Sequence, residues 1–223
     1  MRCAIFDLDG TLVDTSTDLI AAANAALEAM GAGSPLDPVA DAPTAFAGGR
    51  AMLRLGLARA GRSADEDVIE AQYPRLLAAY EGAIDHHSRP YPGAIAAVEG
   101  LARAGWKVGI CTNKPVHLAE LLLVRLGMRG LFAALVGQGT LPVRKPDPAP
   151  YFETVARLGG VPGRSYLLGD TITDRDTARA AGVPVALVTF GPDGAAVARL
   201  QPDALLDAFD TLGHLSERLV PDA

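Results

Sequence analysis

Cysteine and aromatic residues are scarce in this sequence, and basic residues are outnumbered by acidic ones. The 223 residues include two cysteines, one tryptophan and 5% aromatic residues, with 20 lysine and arginine residues against 26 aspartate and glutamate residues. Nucleic-acid-binding proteins present basic stripes and stacking aromatic rings, so a net charge of −6 argues against that class. A few local cations can still form one pocket for a small anionic ligand.

The two cysteines and the lack of long apolar runs bear on the cellular setting. Cys3 and Cys111 lie in apolar, strand-like stretches, which favours two buried free thiols over a disulfide or a metal site. The sequence shows no basic leader, no small-residue cleavage site and no run long enough to span a membrane. We therefore expect a soluble, cytoplasmic protein that binds neither membranes nor nucleic acid.

Apolar runs alternate with helical patterns from residue 89 onward. Hydrophobic residues make up 49% of the sequence, so a sizeable core is available. Strands are predicted at 3–8, 107–111, 132–136, 166–168, 185–188 and 204–206, and helices at 94–104, 116–126, 149–158 and 174–181. This alternation is typical of parallel βαβ units, so the predicted fold class is α/β, with a doubly wound parallel sheet of the Rossmann-like kind.

The stretch between the first predicted strand and residue 89 is different, because it has helical spacing and no convincing strand. One helix is predicted from residue 16 to a stop at Gly31, and others over 44–60 and 65–82, where Pro74 is expected to kink or divide the helix. The predicted domains are an α/β core of residues 1–15 and 89–223 and an inserted, all-helical domain of residues 16–88.

The first strand ends in two carboxylates, Asp7 and Asp9, followed directly by Gly10. Side chains two residues apart on a strand point the same way, so these like charges would be costly unless a positive group lay between them. Solvated turn acids fit poorly with the apolar residues around them. The pair therefore indicates a metal and nucleophile site.

Polar side chains also follow the other predicted strands, at the sheet edge where open α/β folds bind ligands. Thr112 and Asn113 follow the second strand, Lys145 follows the third, and Asp170 and Asp174 follow the fourth. Mg²⁺ takes oxygen ligands, and a lysine offsets the repulsion between a carboxylate and a phosphate dianion. Four carboxylates, a hydroxyl and a lysine thus predict a Mg²⁺-dependent phosphoryl-transfer site.

These segments, in this order, resemble the four motifs of the haloacid dehalogenase superfamily of phosphatases. The resemblance rests on residues 7–15, 112–115, 145–148 and 169–174. Within the superfamily the sequence is similar to the phosphoglycolate phosphatases, also through residues 91–93 and 141–146. The resemblance spans essentially the whole chain and implies that the helical insert is a mobile cap.

The resemblance also implies roles for the charged residues. Asp7 would be the nucleophile that forms an aspartyl-phosphate. Asp9 would protonate the leaving alcohol and then activate the hydrolytic water. Lys145 would screen Asp7 from the phosphate. The implied ligands of Mg²⁺ are Asp7, the backbone carbonyl of Asp9, Asp170, and Asp174, the last directly or through water. Asp174 could equally be the N-cap of its helix.

Other residues are expected to contact the substrate or the solvent. Thr112 would hydrogen-bond the phosphate, assisted by Asn113 and by backbone N–H groups near Gly10. Arg50, in the insert, would contact a carboxylate or second phosphate of the substrate, and an exposed arginine at a helix start is an equally weighted alternative. The expected surface charges are Lys114 and Arg144.

Several activities remain open at this point. The predicted substrate is 2-phosphoglycolate, with a sugar phosphate, a nucleotide or pyrophosphate as alternatives. A sugar phosphomutase would share Asp7 and Asp9, and a non-catalytic binding protein could retain the scaffold. A dehalogenase would not need Asp9, and a phosphonate hydrolase would need a lysine that residues 16–88 lack. The partner is expected to be a small phosphorylated metabolite, and both a monomer and a homodimer are compatible with the sequence.

Overall fold

The computed structural model describes residues 1–222, which form strands and helices in alternation. The strands are β1 (Cys3–Phe6), β2 (Val13–Asp14), β3 (Arg89–Pro90), β4 (Lys107–Pro115), β5 (Ala134–Gln138), β6 (Ser165–Gly169), β7 (Val185–Val188) and β8 (Ala204–Leu206). The helices are α1 (Ser16–Ala29), α2 (Ala42–Phe46), α3 (Gly49–Arg59), α4 (Glu66–Gly82), α5 (Ala94–Arg103), α6 (Val116–Arg125), α7 (Ala149–Arg157), α8 (Ile172–Ala181) and α9 (Leu212–Leu219). Short 3₁₀ helices lie at Arg129–Leu131, Pro162–Arg164, Gly194–Leu200 and Phe209–Thr211.

The main sheet has six parallel strands in the order β5-β4-β1-β6-β7-β8. Strand β1 lies in the middle of the sheet, with β4 and β5 on one side of it and β6, β7 and β8 on the other. Each of the helices α5 to α8 begins and ends within two residues of its predicted bounds. The order and direction of the strands confirm the predicted doubly wound α/β fold.

Strand β1 is apolar along its whole length because it is covered on both faces. Cys3 and Ile5 belong to a buried cluster that includes Tyr151 and Val155 of α7 and Leu167 of β6. Cys111 joins the same cluster, and both cysteines are buried free thiols, as predicted. Burial raises the pKa of Cys111 to about 12, so this thiol is unreactive.

Strand β4 is longer than predicted, since it continues from 111 to Pro115 through three polar residues. Its pairing with β5 is regular up to Cys111 and Val136, and then shifts so that Pro115 faces Gln138. Four residues of β4 therefore span two residues of β5, which is the geometry of a bulge. Gly137 of β5 permits the shift, because an added Cβ there would lie 2.8 Å from the carbonyl oxygen of Lys114.

The chain divides into two compact units. The core unit consists of Met1–Val13 and the chain from Pro90 onward, and the helical unit consists of Asp14–Arg89. The chain passes between the units at the short strands β2 and β3, which pair with each other.

The helical unit contains α1 to α4 and differs from prediction in one place. The helix predicted over 44–60 is wrong, because Gly48, with a φ of 100°, separates α2 from α3. Helix α4 is a single helix that contains Pro74, so this proline does not divide it, and a kink at Pro74 stays a prediction. Helix α3 lies so close to α1 that a Cβ added at Gly56 would be 2.2 Å from a methyl group of Leu27. None of the helices in residues 1–222 has the length and apolar character that a membrane span requires.

Candidate active site

Three carboxylates of the core unit meet beyond the carboxyl ends of β1 and β6. Oxygens of Asp7, Asp170 and Asp174 all lie within 4.8 Å of one another. The two strands are adjacent, parallel and paired up to Phe6 and Leu168, so the residues that follow them emerge side by side. The amide of Asp7 extends this pairing by donating to the Leu168 carbonyl at 2.9 Å. The predicted convergence of the first and fourth motifs is thus a consequence of strand order.

Asp174 is held at the first turn of α8 by a capping box. The N-cap of this helix is Thr171, so the alternative that Asp174 is the N-cap is wrong. Oδ2 of Asp174 accepts hydrogen bonds from the Thr171 hydroxyl at 2.9 Å and from the amides of Thr171 and Asp170 at 3.1 and 3.2 Å. Gly169 permits this packing, because a Cβ there would lie 2.3 Å from Cγ of Asp174.

Lys145 connects two of the carboxylates. Its ammonium lies 2.6 Å from Oδ1 of Asp174 and 3.1 Å from Oδ2 of Asp7, and its side chain is only 1% exposed. Burial alone would lower the pKa of Lys145, but Asp174 and Asp7 raise it above the ordinary value. The lysine therefore stays protonated. Asn113 supports it, because Nδ2 of Asn113 donates to the Lys145 carbonyl at 3.0 Å.

Asp7 lies in a mixed electrostatic environment. Burial raises the pKa of Asp7 to about 6, with the Asp174 and Asp9 carboxylates adding to the increase. Lys145 and the amide of Leu8, which donates to Oδ1 at 2.7 Å, act in the opposite direction. Asp7 is thus an ionised but poorly solvated carboxylate at neutral pH, which suits a nucleophile.

Asp170 has one oxygen with a hydrogen-bond partner and one without. Oδ1 accepts from the hydroxyl of Thr11 at 3.0 Å. Oδ2 is buried, and no group in residues 1–222 donates to it. The pKa of Asp170 is raised well above its ordinary value, mainly by burial and further by the Asp174 and Asp7 carboxylates. A buried oxygen without a donor, among other carboxylates, fits a hard divalent cation as its missing partner.

Asp9 is paired with a lysine that the sequence did not single out. Nζ of Lys114 lies 2.9 Å from Oδ1 of Asp9, and the lysine side chain is 3% exposed. The expectation that Lys114 is a surface charge is therefore wrong, because β4 continues past Cys111 and carries Lys114 into the site. Arg144, in contrast, is exposed as expected.

Comparisons with known proteins establish the family. A model of haloacid dehalogenase-like hydrolases matches residues 1–182, a range that includes all the site residues above. The chain belongs to this family. It is 40% identical over 227 aligned positions to a phosphoglycolate phosphatase of Mesorhizobium japonicum, with 97% of this chain and 95% of that protein covered.

Further relatives agree along nearly the whole length of this haloacid dehalogenase-like hydrolase. A phosphoglycolate phosphatase of Agrobacterium fabrum is 39% identical, with 97% of this chain and 93% of that protein covered. A crystal structure described as that of a predicted phosphoglycolate phosphatase from Haemophilus somnus superposes with a TM-score of 0.83 at 25% identity, covering 97% of this chain and 98% of that one.

Three residues predicted to bind phosphate in this hydrolase have protein partners. The Thr112 hydroxyl accepts a hydrogen bond from the amide of Lys114 at 3.2 Å and is thereby oriented by its own strand. The Gly10 amide donates to the Val13 carbonyl at 2.9 Å, and the φ of Gly10 is 77°, which favours glycine in this turn. Asn113 supports Lys145 through its amide nitrogen. The phosphate contacts of all three residues stay predictions.

Arg50 belongs to the helical unit of the hydrolase and is paired within it. It lies in the first turn of α3, donates to both oxygens of Glu70 and places its guanidinium 3.8 Å from the ring centroid of Tyr73. Its side chain is 31% exposed. The charge of Arg50 is thus already paired with Glu70, and its contact with a substrate stays a prediction.

The site contains three contributors that sequence reasoning missed: Thr11, Lys114 and Thr171. Thr11 lies inside the first motif, and its position directly after Gly10 was the available signal. Thr171 stands three residues before Asp174, which is capping-box spacing. Nothing in the local pattern around Lys114 distinguishes it from a surface lysine.

Proposed function

We propose that this hydrolase is a Mg²⁺-dependent phosphomonoesterase that works through a phosphorylated Asp7 and acts on 2-phosphoglycolate. The observation that carries the proposal is the grouping of Asp7, Asp170 and Asp174, in which the ammonium of Lys145 contacts Asp7 and Asp174 and one oxygen of Asp170 is buried without a donor from residues 1–222. The relatives named phosphoglycolate phosphatases support the choice of substrate.

The charges of the cluster favour a divalent cation. If all three carboxylates were ionised, the cluster with its one ammonium would carry a net charge of −2 in a site that is almost closed to water, and the raised pKa of Asp170 shows that burial and the neighbouring carboxylates oppose this ionisation. Asp7, Asp170 and Asp174 would hold Mg²⁺, together with the backbone carbonyl of Asp9 that the family resemblance implies. When bound, the ion would supply positive charge to the phosphoryl oxygens.

The first chemical step would be an attack by Asp7. A carboxylate oxygen of Asp7 forms a bond to phosphorus while the bond from phosphorus to the alkoxy oxygen breaks. The leaving oxygen takes its proton from Asp9, so glycolate departs with a neutral hydroxyl group and not as an alkoxide. At 4 Å and an effective dielectric of about 20, the repulsion between Asp7 and a phosphate dianion is roughly 8 kcal/mol, which the neighbouring Lys145 helps to offset.

The second step would return Asp7 to its starting state. Asp9, now ionised, accepts a proton from a water molecule as that water attacks the phosphorus of the aspartyl-phosphate. The bond between phosphorus and the Asp7 oxygen breaks, and inorganic phosphate leaves. One phosphoester and one water are consumed, and one alcohol and one phosphate are formed.

The helical unit supplies the proposed specificity. We assign residues 16–88 as a cap whose Arg50 contacts the carboxylate of the substrate. An arginine held over an aromatic ring is a planar, preorganised donor suited to a carboxylate. The assignment explains why a small anion would be the substrate of a protein with a net negative charge.

The test is phosphate release from a panel of phosphoesters, with and without Mg²⁺, and with Asp7→Asn as the control. We expect Mg²⁺-dependent release that prefers 2-phosphoglycolate by about 10²-fold in kcat/KM, or roughly 2.7 kcal/mol in the transition state, and no turnover by the variant. Weak release from many esters would contradict the substrate. Metal-independent release, or substantial activity of Asp7→Asn, would contradict the mechanism.

A further inference from the structure

Lysine is rare in this chain, and its placement is uneven. Only three of the 20 basic residues are lysines, at positions 107, 114 and 145. Lys107 is exposed at the start of β4, whereas Lys114 and Lys145 have almost fully buried side chains against carboxylates of the site. Lys145 has a role in the proposed chemistry, but Lys114 has none.

The pair formed by Lys114 and Asp9 is unlike an exposed ion pair. The Lys114 side chain is 3% exposed and the Asp9 side chain 18%, with 2.9 Å between Nζ and Oδ1. Removing an ammonium from water is unfavourable unless a counter-charge with good geometry accompanies it. Lys114 therefore occupies a position that burial disfavours for a charged group, and its ammonium contacts the Asp9 carboxylate directly.

The backbone that carries Lys114 is fixed at several points. The amide of Lys114 donates to the Thr112 hydroxyl at 3.2 Å, and the shift of β4 against β5 depends on Gly137. Asp9, by comparison, lies in the turn that follows β1. The side chain of Lys114, on a strand, thus contacts the side chain of Asp9, in a turn. This arrangement is expected when a fixed group orients a less fixed one.

We propose that Lys114 is a positioning residue that orients the Asp9 carboxyl toward the oxygen of the leaving alcohol. The proposal rests on the function proposed above, in which Asp9 exchanges a proton with that oxygen. Proton transfer requires the two heavy atoms to be about 2.6–3.2 Å apart, and a misplacement of about 1 Å can cost about 10²-fold in rate. Lys114 itself neither gains nor loses a proton in either step.

The test compares Lys114→Met with Lys107→Met, which removes the exposed lysine of the same strand. Each is measured on 2-phosphoglycolate, whose alkoxide needs a proton to leave, and on 4-nitrophenyl phosphate, whose phenolate does not. Because hydrolysis of the aspartyl-phosphate is common to both esters, the rate constant of the first step, phosphorylation of Asp7, is followed by rapid quench. For Lys114→Met we expect that rate constant to fall by about 10²-fold on 2-phosphoglycolate with KM within about threefold, and to change by less than about threefold on the aryl ester. Lys107→Met should match the parent on both substrates.

Other outcomes would overturn the proposal. Equal losses on both esters would mean that Lys114 supports the whole site, and a rise in KM confined to 2-phosphoglycolate would mean that it binds the substrate carboxylate. Unchanged kinetics of Lys114→Met on both esters would show that Lys114 has no role in the reaction. Circular dichroism checks folding, and Lys114→Gln provides a second variant that retains a hydrogen-bond donor, for which a smaller loss than that of Lys114→Met, again confined to 2-phosphoglycolate, is expected. Failure of the parent protein on every ester would instead contradict the proposed function.

Discussion

The hydroxyl of Thr11 donates a 3.0 Å hydrogen bond to Oδ1 of Asp170, and both residues are at most 1% exposed. Thr11 follows β1 and Asp170 follows β6, so this bond ties the ends of two neighbouring strands together at the carboxylate cluster. It also leaves Oδ2 of Asp170 as the oxygen without a donor in the described chain. Thr11 therefore decides which oxygen of Asp170 would face a cation.

Thr11→Val is expected to weaken Mg²⁺ binding. Valine fills nearly the same volume but donates no hydrogen bond, so both oxygens of Asp170 would be buried without a donor. Residues that orient a metal ligand typically contribute about 10- to 100-fold in metal affinity, so the Mg²⁺ concentration for half-maximal activity should rise by about that factor. Thr11→Ser, which keeps the hydroxyl, should stay close to the parent. Equal Mg²⁺ requirements for the two variants would refute this role.

The raised pKa of Asp7 predicts how stability depends on pH without metal. The pKa of Asp7 is about 6 in the folded protein, against about 3.9 in an unfolded chain, so the folded state binds this proton more tightly. Ionising Asp7 therefore destabilises the fold progressively as pH rises from about 4 to about 6, and the loss is constant above that range.

Asp7→Asn removes that ionisation and isolates its effect. In EDTA, the variant should be more stable than the parent by up to about 3 kcal/mol near pH 7.5, and the two should converge near pH 4. Urea unfolding of both proteins across this pH range provides the measurement. A difference that did not change with pH would contradict the pKa assignment.

Gly169→Ala should disturb the cluster through backbone packing. The added methyl group would lie 2.3 Å from Cγ of Asp174, a side chain held by its capping box and by Lys145. We expect a loss of about 1–3 kcal/mol in unfolding free energy, together with reduced kcat. The matched control is Gly163→Ala, just before β6, where a Cβ would meet nothing within 4 Å. Similar stabilities of the two variants would contradict the role of Gly169.

Arg50→Ala tests the proposed contact between the helical unit and the substrate. If Arg50 binds the substrate carboxylate, kcat/KM should fall by about 10-fold or more for 2-phosphoglycolate and stay unchanged for ethyl phosphate, which lacks that group. Arg54→Ala is the control, because Arg54 lies one turn further along α3 and is likewise paired with a glutamate, Glu66. Unchanged kinetics for Arg50→Ala on 2-phosphoglycolate would end this assignment.

Most of the core sheet and the three clustered carboxylates could be predicted from the amino-acid sequence alone. Strands β1 and β6 are neighbours that end near the ends of their apolar runs, so these runs place Asp7 and Asp170 at one edge of the sheet. The length of β4 could not be predicted, because its last residues are polar and are held in the strand by pairing with β5. The burial of Lys114 and its contact with Asp9 could not be predicted for the same reason.

The helical unit shows a related limit. The break between α2 and α3 depends on the backbone of Gly48, and an isolated glycine in a helical pattern is compatible with either outcome. The direction of the Asn113 side-chain amide also could not be predicted from the sequence, because its partner is a backbone carbonyl 32 residues away along the chain. Local patterns predict elements, whereas long-range pairing decides where strands extend and which atoms side chains face.

The placement of the three lysines has a practical consequence for chemical labelling. Amine-reactive esters need an accessible, transiently neutral amine, and Lys114 and Lys145 are buried in ion pairs with carboxylates. Lys107 is exposed at the amino end of β4, the end of the strand opposite to the carboxylate cluster. Of the three lysines, a fluorophore or a surface tether coupled through amines should therefore attach at Lys107, leaving the reactive centre chemically untouched.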